Sequence, residues 1–203
     1  MARPRLVSDD EIRSAVRKGV LEQGPFVSLD LIAERLGVTT PALFKRFGSR
    51  NALLLSALKL PEHPSFLTLL EQGPDAAQPF DTQLHAIIDA HMQFLDESWP
   101  CMAALRESGI PKEQIKELLG KSPLSKAVKL FTQWLDRARR LGLADVPDSE
   151  QVAMAIFGAG HMPIMIRHMS RLLGGPAPAI DGYGRMVAKL ISKGLAPPKK
   201  RLQ

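Results

Sequence analysis

Two short apolar runs at helical spacing, parted by one glycine, constrain this chain more than any other feature. They lie between Ser28 and Arg50. Leu29, Ile32, Ala33 and Leu36 fall on a single helical stripe. Ser28 precedes them as an N-cap, because its hydroxyl accepts a backbone N–H two or three residues on. Gly37 stands where a helix must end with positive φ, and Val38 is an apolar plug behind it. Thr39 or Thr40 caps the next helix, and Pro41 suits a first turn that needs no N–H. Leu43 and Phe47 are four residues apart and face inward. Thr40, Ala42, Lys45 and Arg46 are left on the other side.

Short helix, glycine turn and short basic helix together make a helix-turn-helix, which lays its second helix in the major groove of DNA. Small and hydroxylated side chains let a helix backbone approach base edges, and basic ones meet phosphate or guanine. The charge distribution points the same way. Residues 1–60 hold ten Lys/Arg against six Asp/Glu, whereas residues 61–198 hold fourteen against fifteen. Lys199, Lys200 and Arg201 supply the rest of a net charge of +6. A basic face attracts a polyanion at long range.

A first helix is expected over residues 8–23, capped by Ser8 or Asp9 and stopped by Gly24-Pro25, with Ile12, Ala15, Val16, Gly19 and Val20 inward. Arg3 and Arg5 form a basic arm before it. A fourth helix is expected over 49–59. Prolines and glycines between 61 and 80 mark a seam around one short helix, Ser65 to Gln72. Beyond it the pattern predicts helices over 81–98, ended by Trp99-Pro100, then 101–108, 112–119, Ser122 or Ser125 to Leu141, 149 to about 172, and 181–193. No alternating strand pattern occurs, so the fold class is all-α. The expected domains are a helix-turn-helix domain over 1–60 and a helical effector-binding and dimerisation domain over 61–203, with a basic tail from about 195.

The 149–172 helix is apolar nearly all round, which marks it as buried on most sides. Pro163 predicts a kink or break in it. Its small residues Ala155, Gly158, Ala159 and Gly160 let another helix come close. With Met162, and with Met186 and Leu190 of the last helix, they make half of a four-helix bundle that a second copy completes. The expected homodimer interface is Ala155, Gly158, Ala159, Met162, Met186 and Leu190.

This layout resembles the TetR family of transcriptional repressors. The residues that carry the resemblance are Ile12 to Gly24, Ser28-Leu29, Ile32-Ala33, Leu36 to Thr39, Pro41 to Phe44, Phe47, Arg50 and Leu53-Leu54. It covers about the first 60 residues in motif, and the rest in length, all-α content and helix order. The resemblance implies a homodimer on a palindromic double-stranded operator, released when a small molecule binds the C-terminal domain. It implies that Ser28 and Thr39 hold phosphates and that Thr40, Pro41 and Ala42 meet bases. Lys45 and Arg46 fall where side chains reach bases or phosphates, and Arg50 where a cation grips the backbone. Phe44 departs from the family's usual Tyr and lacks its phosphate-reaching hydroxyl. Asp30 departs too, near the start of a helix where a basic or polar residue sometimes reaches DNA. It is expected to face solvent or support the helix dipole.

If an effector binds, the residues favour an apolar one. His91, Met92, Leu95, Trp99, Met102, Leu105, Phe131, Trp134, Leu135, Phe157, His161 and Met165 are candidates to line a cavity, Met and aromatic side chains suiting adaptable pockets. The same residue types also make ordinary core. An enzyme is not expected: no phosphate loop, His-Glu-x-x-His pair or serine elbow occurs. His85 and Asp89 read as a surface pair on one helix face, and no metal or cofactor is expected. The single Cys101 cannot form an internal disulfide, no membrane span occurs and no signal peptide is read at the N-terminus, so a cytoplasmic location is expected. The rival reading is a helical module that docks another protein through the 149–172 helix without specific DNA binding.

Overall fold

A computed structural model describes residues 7–119 and 123–197. The expected arm at Arg3 and Arg5, the tail at 198–203 and the Ser122 cap lie outside the described residues, as does the Ser125 side chain. Among the described residues there are ten helices and no strand. They are α1 (Asp9–Gln23), α2 (Leu29–Arg35), α3 (Thr40–Phe47), α4 (Arg50–Ala57), α5 (Ser65–Gln72), α6 (Phe80–Glu107), α7 (Lys112–Leu119), α8 (Pro123–Arg140), α9 (Ser149–Leu172) and α10 (Tyr183–Gly194). None is long and apolar enough to cross a membrane.

The chain divides into two compact units. The first is residues 1–60 with 98–120, and the second is 61–97 with 121–203. The first unit thus adds 98–120 to the expected 1–60 segment.

Each of the first four helices starts from a hydroxyl. Ser8 accepts from Glu11 N at 3.1 Å while Glu11 accepts from Ser8 N at 2.8 Å, a reciprocal capping box. Ser28, Thr39 and Ser49 accept from Leu31 N, Ala42 N and Ala52 N. Gly37 and Gly48, at φ 68° and 88°, turn the chain into the next helix where a Cβ would be strained. The core is aliphatic: Ile12, Val16, Leu29, Ile32, Leu43, Leu53, Leu54 and Leu58 are buried together with Cys101 and Leu105.

In the second unit α8 packs on α9 and α5, and α10 packs on α9. Its core is aromatic at the centre: Phe66, Phe80, Phe131, Trp134 and Phe157.

One expectation about proline is corrected and another is narrowed. The predicted break at Trp99-Pro100 does not occur, and 81–98 and 101–108 are parts of one helix. Pro100 removes a single i→i−4 bond, a cost of about 3 kcal/mol. Burial before it (Leu84, Ile87, Ile88) and after it (Cys101, Ala104, Leu105) offsets that cost. Pro163 does not break α9 either, and its ring is buried within the second unit.

Candidate nucleic-acid interface

The head of the first unit presents α3 with its outer residues exposed and Leu43 fully buried beneath them. Thr39, Pro41 and Lys45 are exposed, while Thr40 and Ala42 are partly so. Ser28 is exposed at the start of α2. Thr39 to Ala42 lie at the start of α3, Lys45 in its last turn and Ser28 at the start of α2. Phe44 is half-buried and packs against the aliphatic core.

Two expected DNA-contacting cations are engaged within the protein. Arg46 donates to Val7 O at 2.6 Å and also pairs with the Asp9 carboxylate, tying α3 to the start of α1. Arg50 donates to Pro25 O at 2.8 Å and Val27 O at 3.1 Å. Both bonds come from the same guanidinium nitrogen, Nη2, and together they close the loop that leads into α2. Sequence reading missed both ties, and also Arg13, which pairs with Asp10 and lies 5.9 Å from the Phe47 ring centre. Asp30 is exposed, as expected, and also accepts a hydrogen bond from the Thr40 hydroxyl, linking α2 to α3.

The expected effector-pocket residues separate. Trp99 and Met102 belong to the first unit, with Leu105, and the others to the second. His91, Met92, Phe131, Trp134 and Phe157 are buried in one cluster, with Leu95 packed against it and His161 and Met165 partly buried. His91 and Phe157 have ring centres 4.5 Å apart, Phe131 and Phe157 5.1 Å. Phe66, which sequence reading left in the seam, completes the group at 5.2 Å from His91. Burial, helped by the nearby His161, lowers the His91 pKa to about 4, so the ring is neutral at pH 7. A cleft of about 360 Å³ lies against this unit between α5 and α8. Arg137 and Arg140 edge it, and its apolar floor, Leu70 and Trp134, is almost wholly buried. His85 and Asp89 pair at 2.7 Å on one face of α6.

The expected dimer residues are exposed or half-exposed on α9 and α10. Met154, Gly158, Met162, Ile166 and Met169 recur at helical spacing along α9, with Ala155 exposed and Ala159 half-exposed beside them. Met162 is 51% exposed, and Leu190 and Met186 of α10 are 62% and 45% exposed. A Cβ on Gly158 would meet open space. Gly160 points the other way, against His91 and Met92 of α6.

Residues 20–57 match the sequence profile of bacterial regulatory proteins of the tetR family. No curated protein matches the chain. Solved structures share its fold over nearly the whole length. A transcriptional regulator of the TetR/AcrR family from Thermobifida fusca is 16% identical with a TM-score of 0.66, over 92% of this chain and 97% of that one. A TetR-family regulator from Agrobacterium tumefaciens is 17% identical at 0.59, over 93% and 97%. The TetR-family regulator PfmR from Thermus thermophilus is 18% identical at 0.58, over 95% and 100%. The helix-turn-helix segment is thus that of the tetR family of bacterial regulatory proteins, set in a chain with the fold of solved TetR-family regulators.

Proposed function

We propose that the chain is a cytoplasmic DNA-binding transcriptional regulator that works as a homodimer on a palindromic operator, and that it is a repressor released by a small apolar effector. The observation that carries the DNA-binding part is the surface at the start of α3. Thr39, Thr40, Pro41 and Ala42 open α3 at full or partial exposure, with Lys45 exposed in its last turn and Ser28 exposed at the start of α2, on a head whose core is already filled by other side chains. Hydroxyls and one cation on a narrow helix suit base edges and phosphates. Arg46 and Arg50 act in this reading by holding α3 and the α1–α2 loop in place.

The homodimer rests on the uncovered stripe of α9 and α10. Two-fold pairing through a self-complementary face places two heads on two half-sites. The Gly158 side of α9 leaves room for a helix to approach closely. The effector reading rests on the adaptable aromatic cluster around His91, Phe131 and Phe157, which an apolar ligand would enter by displacing those rings.

Enrichment of duplexes from a random library by the full chain tests this reading. A palindromic motif is expected, and Lys45→Ala is expected to weaken binding and reduce the log–log salt slope by about one. Failure to enrich any duplex overturns DNA binding. Gly158→Leu is expected to shift sedimentation toward monomer, and an unaltered dimer would move the interface elsewhere.

A further inference from the structure

Adjacent threonines at the start of α3 use their hydroxyls in opposite ways. Thr39 accepts from Ala42 N at 3.3 Å, so its own proton is left to point outward. Thr40 donates its proton to the Asp30 carboxylate, so what it turns outward is lone pairs. The direction of that second bond is fixed by chemistry, because an ionised carboxylate only accepts. A threonine hydroxyl that is free to rotate gives or takes a hydrogen bond and tolerates any base. One whose proton is committed cannot.

The first residues of the second helix in a helix-turn-helix are the ones that reach base edges, and Thr40 is the first residue of α3. The major groove shows amines at adenine N6 and cytosine N4, and carbonyl oxygens at guanine O6 and thymine O4. Outward lone pairs attract the amines and repel the carbonyls. Arg46, the side chain on α3 best suited to guanine, is turned toward Val7 and Asp9 instead.

We propose that Asp30 makes Thr40 an obligate acceptor, so that each half-site carries adenine rather than guanine, or cytosine rather than thymine, at the base Thr40 meets. Asp30 is the positioning residue and Thr40 the one that touches the base. Thr39, with its proton outward, is suited to a phosphate oxygen instead. The inference rests on the DNA-binding reading above and names the specificity of that same surface.

The test is duplex selection and competition binding with the full-length chain and with Asp30→Ala, Thr40→Val and Thr40→Ser. The wild type is expected to prefer the amine-bearing base at one position per half-site by about five- to a hundredfold. Thr40→Ser keeps that preference, because it keeps the hydroxyl and its bond to Asp30. Thr40→Val abolishes it. Asp30→Ala abolishes it too, since the released hydroxyl can turn and donate to a carbonyl, and it leaves the other positions of the motif unchanged. A pin between α2 and α3 that played no part in reading bases would weaken binding to all sequences alike, and that result overturns the proposal. So does an Asp30→Ala motif identical to the wild type. Enrichment of no sequence by the wild type brings down the DNA-binding reading itself, whereas enrichment with an unmoved motif brings down only the role of Thr40. Should Thr40→Val fail to fold, Asp30→Ala against Thr40→Ser decides the matter alone.

Discussion

The two units hold their shapes by different means. In the first, α1 to α4 are short, each begins at a capping hydroxyl, and the core between them is aliphatic. In the second, α5 and α10 begin without a side-chain cap, and the centre is a group of large rings drawn from α5, α6, α8 and α9. Caps act over three residues, whereas the rings that meet come from as far apart as Phe66 and Phe157. A head built on local signals keeps a fixed presentation of α3. A second unit built on interlocking aromatic groups has a centre whose rearrangement changes everything packed on it.

The largest effect that would sharpen this contrast is expected from Phe131→Ala. Phe131 is fully buried at the middle of the ring cluster, and its loss is expected to cost about 3–5 kcal/mol. Hydrogen exchange should show that cost in α5, α8 and α9 while the slow amides of α1 and α4 keep their protection. Equal loss in both units would show that they unfold as one, and would break the comparison.

Acid offers the next test. His91 has a folded pKa of about 4, below its unfolded value. The unfolded chain therefore binds the proton first, and the stabilisation present above about pH 6.5 is lost as pH falls toward 4. The full loss is about 3 kcal/mol. Melting temperature followed from pH 7 to 4 should fall with this midpoint, and His91→Leu should flatten that part of the curve. An unchanged profile in the variant would remove His91 from the account.

Smaller effects are expected in the head. Arg50→Ala should cost about 1–3 kcal/mol of stability, because it removes the nitrogen that serves both Pro25 O and Val27 O. Its log–log salt slope for DNA should stay at the wild-type value, and a fall by one would return Arg50 to the phosphates. Ser49→Ala should cost about 1 kcal/mol through the lost cap of α4, read from denaturant midpoints.

The same contrast explains what could be read from sequence. The hydroxyl caps, Gly37, the stripe Leu29, Ile32, Ala33 and Leu36, and the inward Leu43 were legible because each signal lies within a turn or two of what it controls. The all-α class followed for the same reason. The fates of Arg46 and Arg50 were not legible. Their partners lie 37 to 39 and 23 to 25 residues away, and nothing local distinguishes a cation that grips a carbonyl from one that faces a phosphate. Pro100 misled because a proline penalty is local while the burial that outweighs it comes from both units. Phe66 was passed over because its short helix sits between prolines, and only the fold brings His91 and Phe157 to it.

Gly19 sits where α1 crosses α2, and a methyl group there would lie 3.0 Å from Ile32 Cδ1 and 3.3 Å from Val27 Cγ2. A larger side chain there must displace Ile32 and Val27, the side chains on which α2 packs against α1, and α3 packs in turn on α2. On the DNA-binding reading, affinity for the double helix depends on a spot that never faces it. A chain altered only at this crossing would keep all its hydroxyls and cations and still offer them at the wrong tilt.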